Sequence, residues 1–188
     1  LLFANVGQAH CPDSGEMIFS LSSSDIIEQL LGLKEDSRLI LLAPVVQNRK
    51  GEFRDVLEKL AREGFVRARI DGQFVELEAN VRVPLKPKNK HSIEVVVDRL
   101  VVSDKVRGRL ADSVETCLKW GDGKIVALSQ DADLDKTKWR EKCFSNRLTS
   151  PATGKSYVPM TPKHFSFNSP YGACPACSGL GQQSVFDE

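Results

Sequence analysis

The chain has 188 residues, 41% of them hydrophobic and 27% charged, with a formal net charge of +1. That is the profile of a globular protein with room for one or two cores, and the whole-chain charge gives no pointer to a polyanionic partner. No apolar run approaches a membrane span and no basic-then-apolar leader opens the chain, so neither a membrane protein nor a signal peptide is expected.

The first residues, Leu1-Leu2-Phe3, are apolar and lack a Met, which reads as a piece of a longer parent. Residues 1–33 hold a Cys-Pro turn and a predicted helix around Asp25–Leu31. Arg38 to Val46 is a β-prone apolar run long enough for a buried strand. A polar turn with Arg49, Lys50 and Gly51 follows. Phe53, Val56, Leu57, Leu60 and Ala61 then recur with the spacing of one helix face, and Gly64 stands at the C-cap position.

From Phe65 to Ile70 the pattern alternates, with Val66, Ala68 and Ile70 on one side and Arg67 and Arg69 on the other. Asp71-Gly72 predicts a two-residue hairpin turn, with the returning strand over Gln73–Leu77. Residues 78–90, with Pro84, Pro87, Arg82, Lys86, Lys88 and Lys90, read as an exposed basic loop. His91 to Val102 is a β-branched strand, Ser103 an N-cap, and Val106, Leu110, Val114, Cys117 and Leu118 the stripe of a second helix. A short strand over Gly123–Ser129 completes the order β-α-β-β-β-α-β. The expected fold is α+β, a mixed sheet with two helices on one face, over an insertion domain at 34–130. Residues 1–33 and 131–188 are expected to be two parts of another, irregular Gly/Pro-rich domain with a zinc-knuckle-like segment.

The charge distribution adds little: residues 34–130 hold 19 Lys and Arg against 15 Asp and Glu, and the remainder 7 against 10. That surplus leans toward an acidic partner. Arg67 and Arg69 on one strand side, Asp71 at the turn, Asp98-Arg99 at the end of the long strand and Arg49-Lys50 in a turn fit either a solvated sheet face or a docking face. Arg suits docking because its planar fork holds carboxylates in pairs.

The cysteines, Cys11, Cys117, Cys143, Cys174 and Cys177, are odd in number and include one Cys-x-x-Cys pair. This fits a reducing compartment and a metal site better than a disulfide framework. Cys174-Pro175-Ala176-Cys177 with Gly179 and Gly181 is a zinc-knuckle pattern, for which Cys143 is the expected third ligand. In a symmetric knuckle the fourth would stand at position 146, which is Asn; His164, His10 and Cys11 are the substitutes. Thr153-Gly154-Lys155-Ser156 lacks the upstream glycine and strand of a phosphate loop. Cys117 lies on an apolar stripe and reads as core, and no nucleophile–base set is present, so no catalytic residue is expected in the chain.

Several stretches together resemble the UvrA family of bacterial excision-repair proteins. They are Leu2–Gly7 with His10-Cys11-Pro12, Leu41–Pro44 with Arg49–Glu52, Gly64–Gly72, His91–Arg99 and Phe165–Cys177. The resemblance implies a dimeric, cytoplasmic, DNA-binding ATPase of the ABC class with zinc modules, which finds distorted DNA and loads UvrB. It implies that 34–130 is the UvrB-binding insertion and that ATP is handled only by the full-length parent; Arg49, Lys50, Arg67, Arg69, Asp71, Asp98 and Arg99 are the candidate partner-binding residues within it. Two alternatives stand beside it: a nucleic-acid-binding zinc module using the basic loop, and a divergent paralogue outside the main repair pathway. The Cys174–Gly181 segment also resembles the cysteine-rich repeat of DnaJ-type chaperones, although it occurs once.

Overall fold

The computed structural model describes residues 2–18, 20–77, 83–131, 139–150, 153, 155–157 and 160–182. In chain order its elements are α1 (Leu2–Val6), α2 (Ser23–Leu31), β1 (Arg38–Lys50), α3 (Arg54–Arg62), β2 (Arg67–Ile70), β3 (Gln73–Glu76), β4 (Lys90–Val101), α4 (Arg107–Trp120), β5 (Lys124–Gln130), β6 (Arg140–Ser145), β7 (Leu148–Thr149) and β8 (Ser156–Tyr157). They fall into two units, residues 21–146 and residues 1–20 with 147–188.

The larger unit is a six-stranded sheet in the order β3-β2-β4-β1-β5-β6. Every neighbouring pair is antiparallel. This corrects the expected mixed sheet, and connectivity is the reason. The crossover through α3 joins β1 to β2 past β4, and the crossover through α4 joins β4 to β5 past β1. Strands joined by a helix run in the same direction, but each such pair is separated by an antiparallel strand. The two crossovers are interlocked and opposite in sense, so right-handed connections put both helices on one face.

That face carries the main core. Leu57 and Leu60 of α3, Leu110, Val114 and Cys117 of α4, and Ile26 and Leu30 of α2 pack with Leu39, Leu41, Ala43, Ala68, Ile70, Ile93, Val95, Ile125 and Phe144 of the sheet. Full burial of one such aliphatic side chain stabilises by about 1.5–3 kcal/mol. Phe65 and Trp120 add an edge-on ring contact at 5.2 Å.

Local chemistry explains the punctuation. Ser22 and Asp25 form a reciprocal capping box at the start of α2. Asp71 and Gly72 have φ of +49° and +86°, the two positive angles of a type I′ hairpin turn. Pro44 sits inside β1, but the ladder to β5 stops at Leu42↔Val126, so its missing N–H costs no bond on that side.

The expected limits of 34–130 fall inside this unit. Helix α2 belongs to it because Ile26 and Leu30 pack into its core and Glu28 pairs with Arg107 of α4. Strand β6 belongs to it because residues 140–145 pair with β5 and Phe144 is buried. The smaller unit contains residues from both ends of the chain, as the α1 helix, the β7–β8 pair, a bridge between His10 and Met17 and one turn of 3-10 helix at Pro162–Phe165.

Candidate partner-docking surface

Strand β1 outruns its core. Its burial falls away after Val46, and Gln47 to Lys50 are exposed. The pairing with β4 nevertheless continues past irregularities, to Arg49↔His91 and Lys50↔Lys90. Asn48 takes a φ of +50°, and its N–H donates to Ser92 Oγ at 3.1 Å. Lys50 and Lys90 are thus cross-strand neighbours of like charge, an arrangement that costs stability. Lys86 and Lys88, exposed in the loop before β4, bring the cations at this end to five. None of Arg49, Lys50, Lys86, Lys88 and Lys90 forms an ion pair with a described residue. Arg82 of the expected basic loop lies outside the described residues.

Beside this end, His91 is buried and bonded at both ring nitrogens. Nδ1 lies 2.6 Å from Asp71 Oδ2 and Nε2 lies 2.9 Å from the Lys86 carbonyl oxygen. The other Asp71 oxygen accepts the Ser92 N–H at 2.8 Å. Partial burial pushes the Asp71 carboxyl up, and the bonds from His91 and Ser92 outweigh it and hold the group below its ordinary range. Asp71 is therefore a structural acceptor for β4, with its side chain still 45% exposed.

The face opposite the helices differs from the flat docking face that strand alternation suggests. Arg69 does project there, but its side chain is only 13% exposed and is held by Glu94 of β4 and Glu141 of β6. The bond to Glu94, opposed by burial and aided by Glu141, holds its guanidinium even more firmly protonated than usual. Ile40, Leu42, Val126 and Leu128 form a second small core, with Val96 against it. Arg67 pairs with Glu76 at 2.8 Å and stays about two-fifths exposed. Arg99 is exposed, with its guanidinium 5.9 Å from the Phe74 ring centre.

Asp98 does not join that face, which corrects its expected position. Its carboxylate accepts from Arg109 at 2.6 and 3.0 Å and from the Ser113 hydroxyl at 2.7 Å, both on α4. The β1–β4 register slips between Leu41↔Asp98 and Leu42↔Val96, leaving Val97 as the extra residue. One inserted residue exchanges the two faces of a strand. Upstream of it Ile93 and Val95 face the helices; downstream Asp98 and Leu100 do so.

The five cysteines divide between the two units. Cys174 and Cys177 form a tight turn in which the Gly181 N–H donates to Cys177 Sγ at 3.2 Å. The amides of Ala176 and Cys177 draw the Cys174 thiol below its ordinary range. This turn fits two thiolate ligands. Cys143, the expected third, sits on β6 opposite Val126 in the sheet unit. No group of three or more His, Cys, Asp or Glu among the described residues has the arrangement of a metal site. The substitutes have other partners. His10 Nδ1 bonds the Gly15 carbonyl, and His164 Nδ1 accepts the Thr161 N–H. Cys11 is buried 3.1 Å from the Tyr157 hydroxyl, and the hydroxyls of Ser14, Ser150 and Tyr157 draw its thiol down to about 5. Part of the Ala152–Ser156 loop lies outside the described residues. Cys117 is buried on α4, where burial pushes its thiol far up.

The alternation of His91 with Ile93 and Val95 is the sequence signal for a buried histidine, and a buried histidine requires partners. Glu141 carries no such signal, because the strand that presents it is mostly polar.

The sheet unit is thus an antiparallel α+β fold with a cationic end. The model of the UvrA interaction domain matches residues 22–131. Across 188 residues the chain is 44% identical to the UvrABC system protein A of Haemophilus influenzae, covering 100% of this chain and 19% of that protein. It is 43% identical to the protein of that name from Thermus thermophilus and 44% identical to that from Escherichia coli, each over 187 residues and 19% of the relative. The chain belongs to the UvrA family and spans about a fifth of the length of these curated relatives.

Proposed function

We propose that this chain is the partner-docking segment of a UvrA-type damage-recognition subunit in nucleotide excision repair, and that its sheet unit binds UvrB. The observation that carries this reading is the cationic end of β1 and β4. Folding supplies no reason for five cations with no described carboxylate partner, two of them directly opposed. An acidic partner face does. Arg67 and Arg99, exposed further along the sheet, extend this surface, whereas Arg69, Asp71 and Asp98 hold the scaffold behind it. DNA binding, ATP hydrolysis, dimerisation and a cytoplasmic setting belong to the longer protein in this reading. Among the described residues, no helix is long and apolar enough to cross a membrane. Zinc enters the reading at Cys174 and Cys177, as two of the thiolates of a structural site.

The test is calorimetric titration of UvrB into the 188-residue chain and into a variant carrying Arg49→Ala, Lys50→Ala, Lys86→Ala and Lys88→Ala. The expected result is a loss of roughly tenfold or more in affinity with a melting temperature that does not fall. Unchanged affinity removes this surface from docking. A parallel titration with duplex DNA separates the nucleic-acid alternative, which requires affinity that falls steeply with salt.

A further inference from the structure

We propose that His91 is a positioning residue: as an imidazolium it pins the basic loop over Val83–Asn89 to the Asp71–Gly72 turn, so that the cationic end of the sheet is assembled only while both ring nitrogens carry protons. The role of this end rests on the docking reading above; the latch itself does not.

The geometry leads there directly. The two groups facing the ring nitrogens, a carboxylate at 2.6 Å and a carbonyl at 2.9 Å, are both pure acceptors. A neutral imidazole has one N–H, so one of these contacts becomes lone pair against lone pair. The doubly protonated ring satisfies both, with Asp71 as its counter-charge. The ring is buried, so water does not readily replace a lost partner.

The Lys86 carbonyl is the hinge of the loop. It accepts the Asn89 N–H at 3.0 Å as well as the His91 Nε2–H. Among the described residues, the other backbone bond within the loop, Leu85 N–H to the Val83 carbonyl, is local. Val83 and Leu85 rest on the core by apolar contact, while Lys86 and Lys88 project outward. Among the described residues, the polar link from the loop to the sheet therefore runs through one imidazole.

The charged groups around His91 act in opposite directions. Asp71 in the hairpin turn favours the imidazolium. Arg49, its register partner on β1, Lys50 and Lys90 at the same strand ends, and Lys86 and Lys88 in the loop all oppose it. The Asp71 bond, followed by the bond to the Lys86 carbonyl, outweighs burial of the ring and raises the pKa of His91 above its ordinary value. A raised histidine pKa fixes the sign: the latch is closed at low pH and opens as pH rises through that value.

The experiment uses the full 188-residue chain. Nitrogen NMR of the imidazole follows His91, amide hydrogen exchange of Leu85 and Asn89 follows the loop, and calorimetry follows UvrB affinity, all across pH 5.5 to about 9. The expected result is one common midpoint. Loop exchange accelerates severalfold as His91 loses its proton, and His91→Ala shows the fast exchange at every pH. Asp71→Asn keeps an acceptor but removes the counter-charge, so it moves the midpoint to lower pH; a role in packing alone would leave the midpoint in place. Loop exchange that ignores the His91 titration overturns the latch, and so does an imidazole that is neutral throughout. A loop that follows His91 while UvrB affinity stays flat overturns docking at this end and leaves the latch standing.

Discussion

Arg69 of β2 and Glu141 of β6 meet at 2.7 Å although β4, β1 and β5 lie between their strands. A flat sheet would separate those strands by roughly 19 Å, four steps of about 4.8 Å, beyond the combined reach of the two side chains. The sheet therefore curls about the face away from its helices, where Ile40, Leu42, Val126 and Leu128 form the second small core.

Arg69→Ala should destabilise the chain by roughly 2 kcal/mol, because it leaves Glu94, 15% exposed, without its cation. Arg67→Ala should cost less than about 0.5 kcal/mol, since its pair with Glu76 is largely solvated. Replacing Arg69 by Met together with Glu94 by Leu should recover most of the loss. Denaturant melts of the four proteins check this, and equal costs for the two single Arg variants would show that Arg69 is not a closing bridge.

Asp98 should make the chain acid-sensitive. Burial pushes its carboxyl up, but the bonds from Arg109 and Ser113 prevail and hold it below its ordinary value of 3.8. A lowered carboxyl pKa gives stability that is present above the unfolded value and lost as pH falls through the folded one. The melting-temperature gap between the wild-type chain and Asp98→Asn should be widest near neutral pH and should narrow below about pH 4. A gap independent of pH would assign the Asp98 contribution to packing.

Gly121→Ala should destabilise by about 1–3 kcal/mol. A Cβ there lies 2.1 Å from the Lys124 carbonyl oxygen and 2.8 Å from Pro44 Cδ, where the end of α4 meets β1. Backbone at that distance has to move. Gly108, on the same helix with open space around its Cβ position, is the control: Gly108→Ala should be neutral or stabilising, by up to about 1 kcal/mol. Thermal melts of both variants decide it.

Thiol labelling should divide the cysteines by burial. Cys143 and Cys174 should react in the native chain, while Cys11 and Cys117 stay protected until unfolding. Zinc should protect Cys174 and Cys177, the two thiols of the knuckle turn. Mass spectrometry of the labelled peptides reads the result. Protection of Cys143 together with the pair would identify it as the third ligand, and no protection by zinc would show that the knuckle turn holds without metal.

The sequence by itself determined the elements from β1 to β5. Helical spacing marks α3 and α4, alternation marks β2, and Asp71-Gly72 marks its hairpin turn. These are local properties, set by side-chain period and backbone conformation within a few residues. It also marked the exposed basic segments, because Arg49-Lys50 and Lys86–Lys90 lack apolar neighbours of regular period. Tertiary structure alone decided the rest. One extra residue at Val97 turned Asp98 inward to α4, and periodicity contains no term for a slip in register with another strand. Strand β6 was illegible because only Phe144 of Arg140–Ser145 is buried, so its place is set by pairing with β5 rather than by pattern. The curl that joins Arg69 to Glu141, and the ring that joins Asp71 to Lys86, depend on groups far apart in the chain. Whether an arginine is a free docking cation or an internal tie is settled by which carboxylates the folded sheet brings within hydrogen-bond reach.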